Sequence, residues 1–340
     1  MQHLDGLRGV SVLTVMAVHF GLVSVVLRGE FLAVTAVHCF FVLSGFLITR
    51  ILLQGRRGVD GSSMSSGTVL WRFYARRFLR LFPLYYSTVL IFAIMGVPNL
   101  RVHFFYHLAY LTNWRMLLHP MYPVGHFWSL GVEEQFYLLW PLFMLFLPRK
   151  AILPFIGLCL GTAVFTRFSL WFGGAPQAWI YIATPANLDF LGLGAFVGWC
   201  WEHDRHEWVA RLRQLALWVG LPCLLFFLCL APVWPRFYLA FGGAFSALVM
   251  AAVVDQAARG THPMVQWLAW PKLVWVGKIS YGLYILHRFA QFIIRYISMG
   301  EIPYPILVVL AVLMTFIMAT ISWFCLEKPT QALKRFLPYQ

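Results

Sequence analysis

The stretch from Gly6 to Phe20 reads GLRGVSVLTVMAVHF, a run of Val, Leu, Ala and Met that carries Arg8 near its start and His19 near its end. In an α-helix eleven positions make about three turns, so Arg8 and His19 share nearly one face, with His19 roughly 16 Å further along the axis. The apolar remainder suits hydrocarbon, whereas two ionisable groups inside a span must face a protein interior or a wet cavity. The stretch therefore reads as a membrane helix that packs among other helices.

The rest of the chain can supply them. Of 340 residues, 61% are hydrophobic and only 11% are charged, and the mean hydropathy is +0.75, values far from those of a soluble domain. Runs long enough to cross a bilayer fall at 8–27, 31–53, 83–100, 126–147, 151–172, 186–201, 214–232, 237–257, 274–298 and 303–326, which predicts an all-α integral membrane protein of about ten transmembrane helices. Long apolar runs recur from end to end, so residues 1–340 read as a single membrane domain. Residues 102–120, VHFFYHLAYLTNWRMLLHP, hold three His, an Asn and an Arg and read as a re-entrant or short surface helix. The N-terminal run has no small-residue cleavage site and is expected to remain in the protein.

The formal charge is +14, but its placement argues against nucleic acid. Most Lys and Arg residues fall in the loops 54–80, 149–150, 202–213 and 258–273 and in the C-terminal tail. With ten spans these segments share one side, which predicts both termini in the cytoplasm and the small loops near Arg28, Arg236 and Glu301 outside. The six cysteines show neither close pairing nor metal-ligand spacing and read as packing residues; no metal is expected.

Three further polar sets interrupt the apolar runs. In GHFWSLGVEEQFYLLWP, from Gly125 to Pro141, His126, Ser129, Glu133, Tyr137 and Trp140 form one helical stripe, while Glu134 turns about 100° away. Ser280, Tyr284, His287 and Gln291 form another, and His38 and Ser44 mark a third beside Gly45, which admits a close neighbour. A lone polar residue in a span is as readily a hydrogen-bonding group between helices as a functional one. Four sets at similar depth point to a shared site, although a proton path or transporter would show the same pattern.

Before the third span, LWRFYARRFLRLFP places Arg72, Arg76 and Arg80 at four-residue intervals with Arg77 adjoining. This predicts a cytoplasmic amphipathic helix over 70–82 that bends at Pro83. Anchoring to anionic lipid explains such a face, and so does recognition of phosphate groups, which guanidinium pairs bidentately.

The ordered motifs LDGLRGVSVLTVMAVHF, FFVLSGFLI, FYARRFLRLFPLYY, HFWSLGVEEQFYLLWP, ISYGLYILH and EKP, running from Leu4 to Pro329, resemble the acyltransferase-3 family of integral membrane acyltransferases. The resemblance implies about ten membrane helices and transfer of an acyl group, commonly acetyl from acetyl-CoA, to hydroxyls of cell-surface or lipid-linked glycans, in a bacterial inner membrane. The family's basic residue and histidine fall on Arg8 and His19, its two-arginine element on Arg77 and Arg80, and its acidic position on Glu133. One departure stands at Ala36-Val37-His38-Cys39, where relatives often carry an acid in place of His38. Some relatives also have a fused C-terminal esterase-like domain, which is not expected here.

On this reading His19 is the general base, oriented by Glu133 or Ser44. Arg8, Arg77, Arg80 and Arg76 bind the phosphates of the acetyl-CoA co-substrate, and His38, Ser44, His126, Ser129, Tyr137, Tyr284 and His287 are further site candidates. Direct transfer is expected, because no nucleophile and base pair can be placed from spacing. The expected partners are a hydroxyl-bearing glycan and membrane lipid. The alternative is a proton-coupled transporter or flippase of a lipid-linked or small polar substrate, against which stands the absence of visible inverted repeats.

Overall fold

The computed structural model describes residues 1–23, 29–97, 99–119, 121 and 123–338, and the described residues contain helices and no strand. In chain order the α-helices are α1 (Gln2–His19), α2 (Gly29–Asp60), α3 (Ser66–Ile94), α4 (Phe104–Leu108), α5 (Thr112–Met116), α6 (Trp128–Phe146), α7 (Arg149–Phe172), α8 (Gln177–Ile182) and α9 (Leu188–Glu202). They are followed by α10 (His206–Leu215), α11 (Leu221–Leu230), α12 (Pro235–Phe237), α13 (Gly243–Arg259), α14 (Pro263–Gln266), α15 (Pro271–Lys278), α16 (Ser280–Ile297), α17 (Tyr304–Ser322) and α18 (Lys328–Ala332).

Six continuous helical stretches among the described residues are long and apolar enough to cross a membrane: Phe31–Asp60, Ser66–Ile94, Arg149–Phe172, His206–Leu230, Pro235–Arg259 and Tyr304–Phe336. The protein is accordingly a multi-pass membrane protein. The other four expected spans are helices too, namely α1, α6, α9 and α16, but each is short or loaded with polar groups. Their place in the packing explains how they tolerate this. On α16 the stripe Ser280, Tyr284, His287 and Gln291 is buried, whereas the apolar stretches of α7 and α17 are only 28% buried. Apolar helices such as α7 and α17 thus lie toward the outside of the bundle, and the polar-striped helices lie inside it together with α2, whose apolar stretch is 61% buried, as the cost of exposing an ionisable group to hydrocarbon demands.

Backbones touch where the striped helices meet their neighbours. A β-carbon at Gly45 of α2 would fall on the carbonyl of Leu191, and one at Gly194 of α9 on the carbonyl of Val42. Gly45 therefore does admit a close neighbour, and α9 is that neighbour.

The basic segments gather at one end of the bundle. Arg149 pairs with Asp60 across two loops, Arg57 reaches Glu202 at 3.0 Å, and Arg259 and Arg213 converge on Asp255. His3, close to the N-terminus, packs on Gly260 at the same end.

Several boundaries differ from those expected. The helix over 70–82 is not separate: α3 runs through Pro83 to Ile94, so the arginines occupy the first half of a single long helix. The Tyr281 hydroxyl donates to the Leu81 carbonyl at 2.6 Å, supporting the backbone beside the proline. Segment 102–120 contains two short helices, α4 and α5, and span 274–298 breaks at Ile279 between α15 and α16. Residues 24–28, which hold the end of the first expected span and the loop at Arg28, lie outside the described residues.

Introducing Leu at Gly194 forces α2 and α9 apart and is expected to cost about 1–3 kcal/mol or more. The thermal unfolding midpoint in detergent should fall for Gly194→Leu and hold for Gly157→Leu, since nothing lies within 4 Å of a β-carbon at Gly157. Equal midpoints would show that the helices stand further apart than described.

Candidate active site

Two cavities lie inside the ring of apolar helices. The inner one, toward the end that gathers the basic loops, is narrow, about 90 Å³. Its wall carries Arg8 of α1, Ser44 of α2, Arg77 and Arg80 of α3, and Glu133 and Tyr137 of α6. Arg8 also pairs with Asp5 one turn earlier at 2.7 Å. Ser44 Oγ donates to Glu133 Oε1 at 2.6 Å and lies 2.7 Å from the Tyr137 hydroxyl. The Arg77 guanidinium stacks over the Tyr137 ring at 4.9 Å. The lining therefore carries three guanidinium groups and one carboxylate, an excess of positive charge suited to a phosphorylated ligand.

The outer cavity is wider, about 470 Å³. His19, His126, Trp128, Tyr181 and Arg288 line it, and no Asp or Glu occurs among its described lining residues. Two residues, Val37 and Tyr284, line both cavities. Helical periodicity accounts for this arrangement: Arg8 and His19 lie on one face of α1 about three turns apart, so one helix supplies a group to each cavity.

His19 sits at the last turn of α1, where the chain's carbonyls need partners. The Tyr304 hydroxyl donates to the Phe20 carbonyl at 2.9 Å, and Arg288 Nη1 lies 3.4 Å from the His19 carbonyl, a favourable place for a cation. Its ring is held by α16. The carbonyl of Tyr284 only accepts, so the contact at 2.7 Å makes His287 Nδ1 the donor. A neutral His287 then offers Nε2 as acceptor, and His19 Nδ1 donates to it at 2.7 Å. This relay leaves the lone pair of His19 on Nε2, the tautomer a general base requires.

The stripe on α6 holds as expected. Besides the Glu133 and Tyr137 contacts, Ser129 Oγ lies 2.6 Å from the Tyr284 hydroxyl, His126 Nε2 lies 3.2 Å from the Ile285 carbonyl, and Trp140 Nε1 donates to Thr49 Oγ1 at 2.8 Å. Glu134 turns away toward α3, in a groove that includes Trp71 and Phe78.

Three placements depart from expectation. Glu133 and Ser44 line the inner cavity and do not orient His19; His287 does. Arg76 points away from both cavities, donating to the carbonyls of Lys334 at 3.0 Å and Leu337 at 2.8 Å, because its position on α3 faces the C-terminal tail. His38 lies outside both cavities, stacked on Phe190 at 3.6 Å between centroids.

Sequence reasoning missed Arg288, although a cation adjoining His287 in the middle of a span is itself a signal. It also missed the buried pair of Arg167 on α7 and Asp189 on α9, joined at 2.6 and 2.9 Å. A lone Arg and a lone Asp in two neighbouring apolar runs were the visible sign of that pair. Among the described residues no His, Cys, Asp and Glu side chains converge as metal ligands.

A profile of an acyltransferase domain matches residues 1–325. The chain is 29% identical over 355 residues to the peptidoglycan O-acetyltransferase OatA of Listeria monocytogenes, covering 96% of this chain and 55% of the relative. It is 28% identical over 371 residues to YrhL of Bacillus subtilis, covering 98% and 55%. To the O-acetyltransferase OatA of Staphylococcus aureus it is 28% identical over 360 residues, covering 96% and 56%. The chain thus spans about half the length of the curated relatives it matches. No solved structure matches it.

The placement of Arg76 is directly testable. Each of its hydrogen bonds to the tail is charge-assisted and worth about 1.5–3 kcal/mol, so Arg76→Ala should speed tryptic cleavage at Lys334 and Arg335 by about tenfold or more. Unchanged cleavage would return Arg76 to the donor-site candidates.

Proposed function

The chain belongs to the acyltransferase domain family, and we propose that it is a membrane O-acetyltransferase that carries acetyl from acetyl-CoA on the cytoplasmic side to a hydroxyl of a cell-wall glycan on the other. The observation that carries this reading is the pair of cavities meeting at Val37 and Tyr284, one rich in arginine and the other holding an oriented histidine. A two-substrate transfer across a membrane needs this division.

We place ten helices across the membrane with both termini in the cytoplasm. Six satisfy length and hydropathy alone, and α1, α6, α9 and α16 complete the set from inside the bundle. The gathering of the basic loops, the N-terminal residues and the tail at the inner-cavity end supports that orientation. In bacteria this places the protein in the cytoplasmic membrane.

The residues present fit the donor. Arg8, Arg77 and Arg80 would hold the diphosphate and ribose phosphate groups at the inner cavity, whose wall they share. When bound, acetyl-CoA supplies an acyl carbon activated as a thioester. Glu133 is a positioning residue here: its carboxylate anchors Ser44 and balances the guanidinium groups. The glycan occupies the wider outer cavity, where Trp128 and Tyr181 offer faces to a sugar ring.

At the boundary, His19 Nε2 takes the proton of the acceptor hydroxyl as its oxygen bonds to the acyl carbon. The carbon–sulfur bond opens, and the proton held by His19 passes to the leaving thiolate. His287, fixed by the Tyr284 carbonyl, keeps the His19 ring in register and stabilises the imidazolium that forms transiently. The names of the relatives support acetyl as the group and peptidoglycan as the acceptor class.

Removing a positioned general base typically costs 10²- to 10⁴-fold in rate. His19→Ala, assayed with labelled acetyl-CoA and peptidoglycan fragments, should lose about that much transfer while still binding donor; full activity would sink the assignment. Pairing Arg77→Ala with Arg80→Ala removes charge-assisted contacts to phosphate, so the dissociation constant for coenzyme A should rise about tenfold or more. Unchanged affinity would return these arginines to membrane anchoring.

A further inference from the structure

The two cavities touch, yet a solid side chain stands between them. Tyr284 projects from α16, and its hydroxyl lies 2.6 Å from Ser129 Oγ on α6 and 2.9 Å from the carbonyl of His126, in the turn that leads into α6. The ring is thus tethered at both ends, by its own backbone and by the helix opposite. It is buried and forms part of the wall of each cavity. Val37 of α2 closes the same boundary from another side. Phe40, half-buried beside it, meets the Tyr284 ring edge-on at 6.4 Å, which limits how far the ring can swing toward α2.

Such a partition has a chemical consequence. A thioester in the inner cavity is open to hydrolysis: water attacks the acyl carbon, the carbon–sulfur bond breaks, the thiolate takes a proton, and acetate and free coenzyme A are lost without transfer. An outer cavity wide enough for a sugar also holds water when no sugar is present. Enclosed sites suppress such side reactions by excluding water from the reacting centre.

We infer that the tethered Tyr284 ring, with Val37, is a coupling partition that bars outer-cavity water from the donor and yields only when an acceptor occupies the outer cavity. Tyr284 is in this sense a positioning residue that sets the ratio of transfer to hydrolysis. The inference rests on the reading of the inner cavity as the donor site, while the wall that the two cavities share at Tyr284 and Val37 is a matter of geometry.

Two measurements on the full chain in proteoliposomes test it. In the first, acetyl-CoA is supplied without acceptor and free thiol is followed, together with coenzyme A affinity. Tyr284→Ala should raise acceptor-free hydrolysis at least about tenfold, a change of one order in rate, whereas Tyr284→Phe, which keeps the ring but loses its hydrogen bonds to Ser129 and His126, should leak less than Tyr284→Ala. Val37→Ala thins the boundary from α2 and should leak in the same direction, which covers failure of the tyrosine variant to fold. No rise in Tyr284→Ala, or equal leakage from Tyr284→Phe and Tyr284→Ala, would overturn the partition.

The second measurement uses no donor, so it separates failure of the partition from failure of the donor assignment. Ser44→Cys lines the inner cavity, and a membrane-impermeant thiol reagent is applied from the face that opens on His19, with modification at residue 44 read by mass spectrometry. Residue 44 should be protected in the presence of Tyr284 and modified when Tyr284→Ala is added. Equal modification, or equal protection, in the two backgrounds overturns the proposal.

Discussion

Hydrocarbon offers a guanidinium, a carboxylate or an imidazole no hydrogen-bonding partner, and this cost organises the whole bundle. Four of the helices that carry such groups, α1, α6, α9 and α16, fall short of membrane-crossing length or hydropathy by themselves, while α2, α3 and α7 carry theirs within stretches long and apolar enough to cross. Within the bundle each polar side chain must find its partner on another helix. His19 finds His287, Ser44 finds Glu133, Ser129 finds Tyr284 and Trp140 finds Thr49. A requirement for satisfied polarity becomes, helix by helix, a set of aligned groups around two cavities.

Much of this was legible in the sequence because periodicity is a local property. Spacing alone put Arg8 and His19 on one face, put His126, Ser129, Glu133, Tyr137 and Trp140 in a stripe, and turned Glu134 away. Partner identity is not local, and that is where the reading failed. Glu133 or Ser44 was expected to orient His19, but the two bond to each other instead. Arg76 was grouped with Arg77 and Arg80 because all share one helix, yet one residue is a 100° turn and Arg76 meets the tail. Pro83 suggested a bend, although its missing donor is tolerated within a continuous α3 supported by Tyr281.

The histidine relay shows how a backbone atom can select a tautomer. The Tyr284 carbonyl has no proton to give, so the direction of every hydrogen bond from it to His19 follows. The same residue therefore appears twice, its carbonyl accepting from the histidine that holds His19 and its ring lining both cavities. In the proposed mechanism, orientation of the base and separation of the cavities therefore depend on the same turn of α16.

The buried pair of Arg167 and Asp189 bears on how the chain enters the bilayer. Either residue alone in an apolar helix would hinder its release from the insertion machinery, at a cost of a few kcal/mol. Paired at 2.6 Å they present no net charge, and the connection from α7 to α9 is short enough for the two helices to be handed to the lipid as one neutral hairpin. α9, a helix of only 15 residues, thus has its one buried aspartate neutralised by α7. A substitution at Arg167 would leave Asp189 as an uncompensated carboxylate in that short helix.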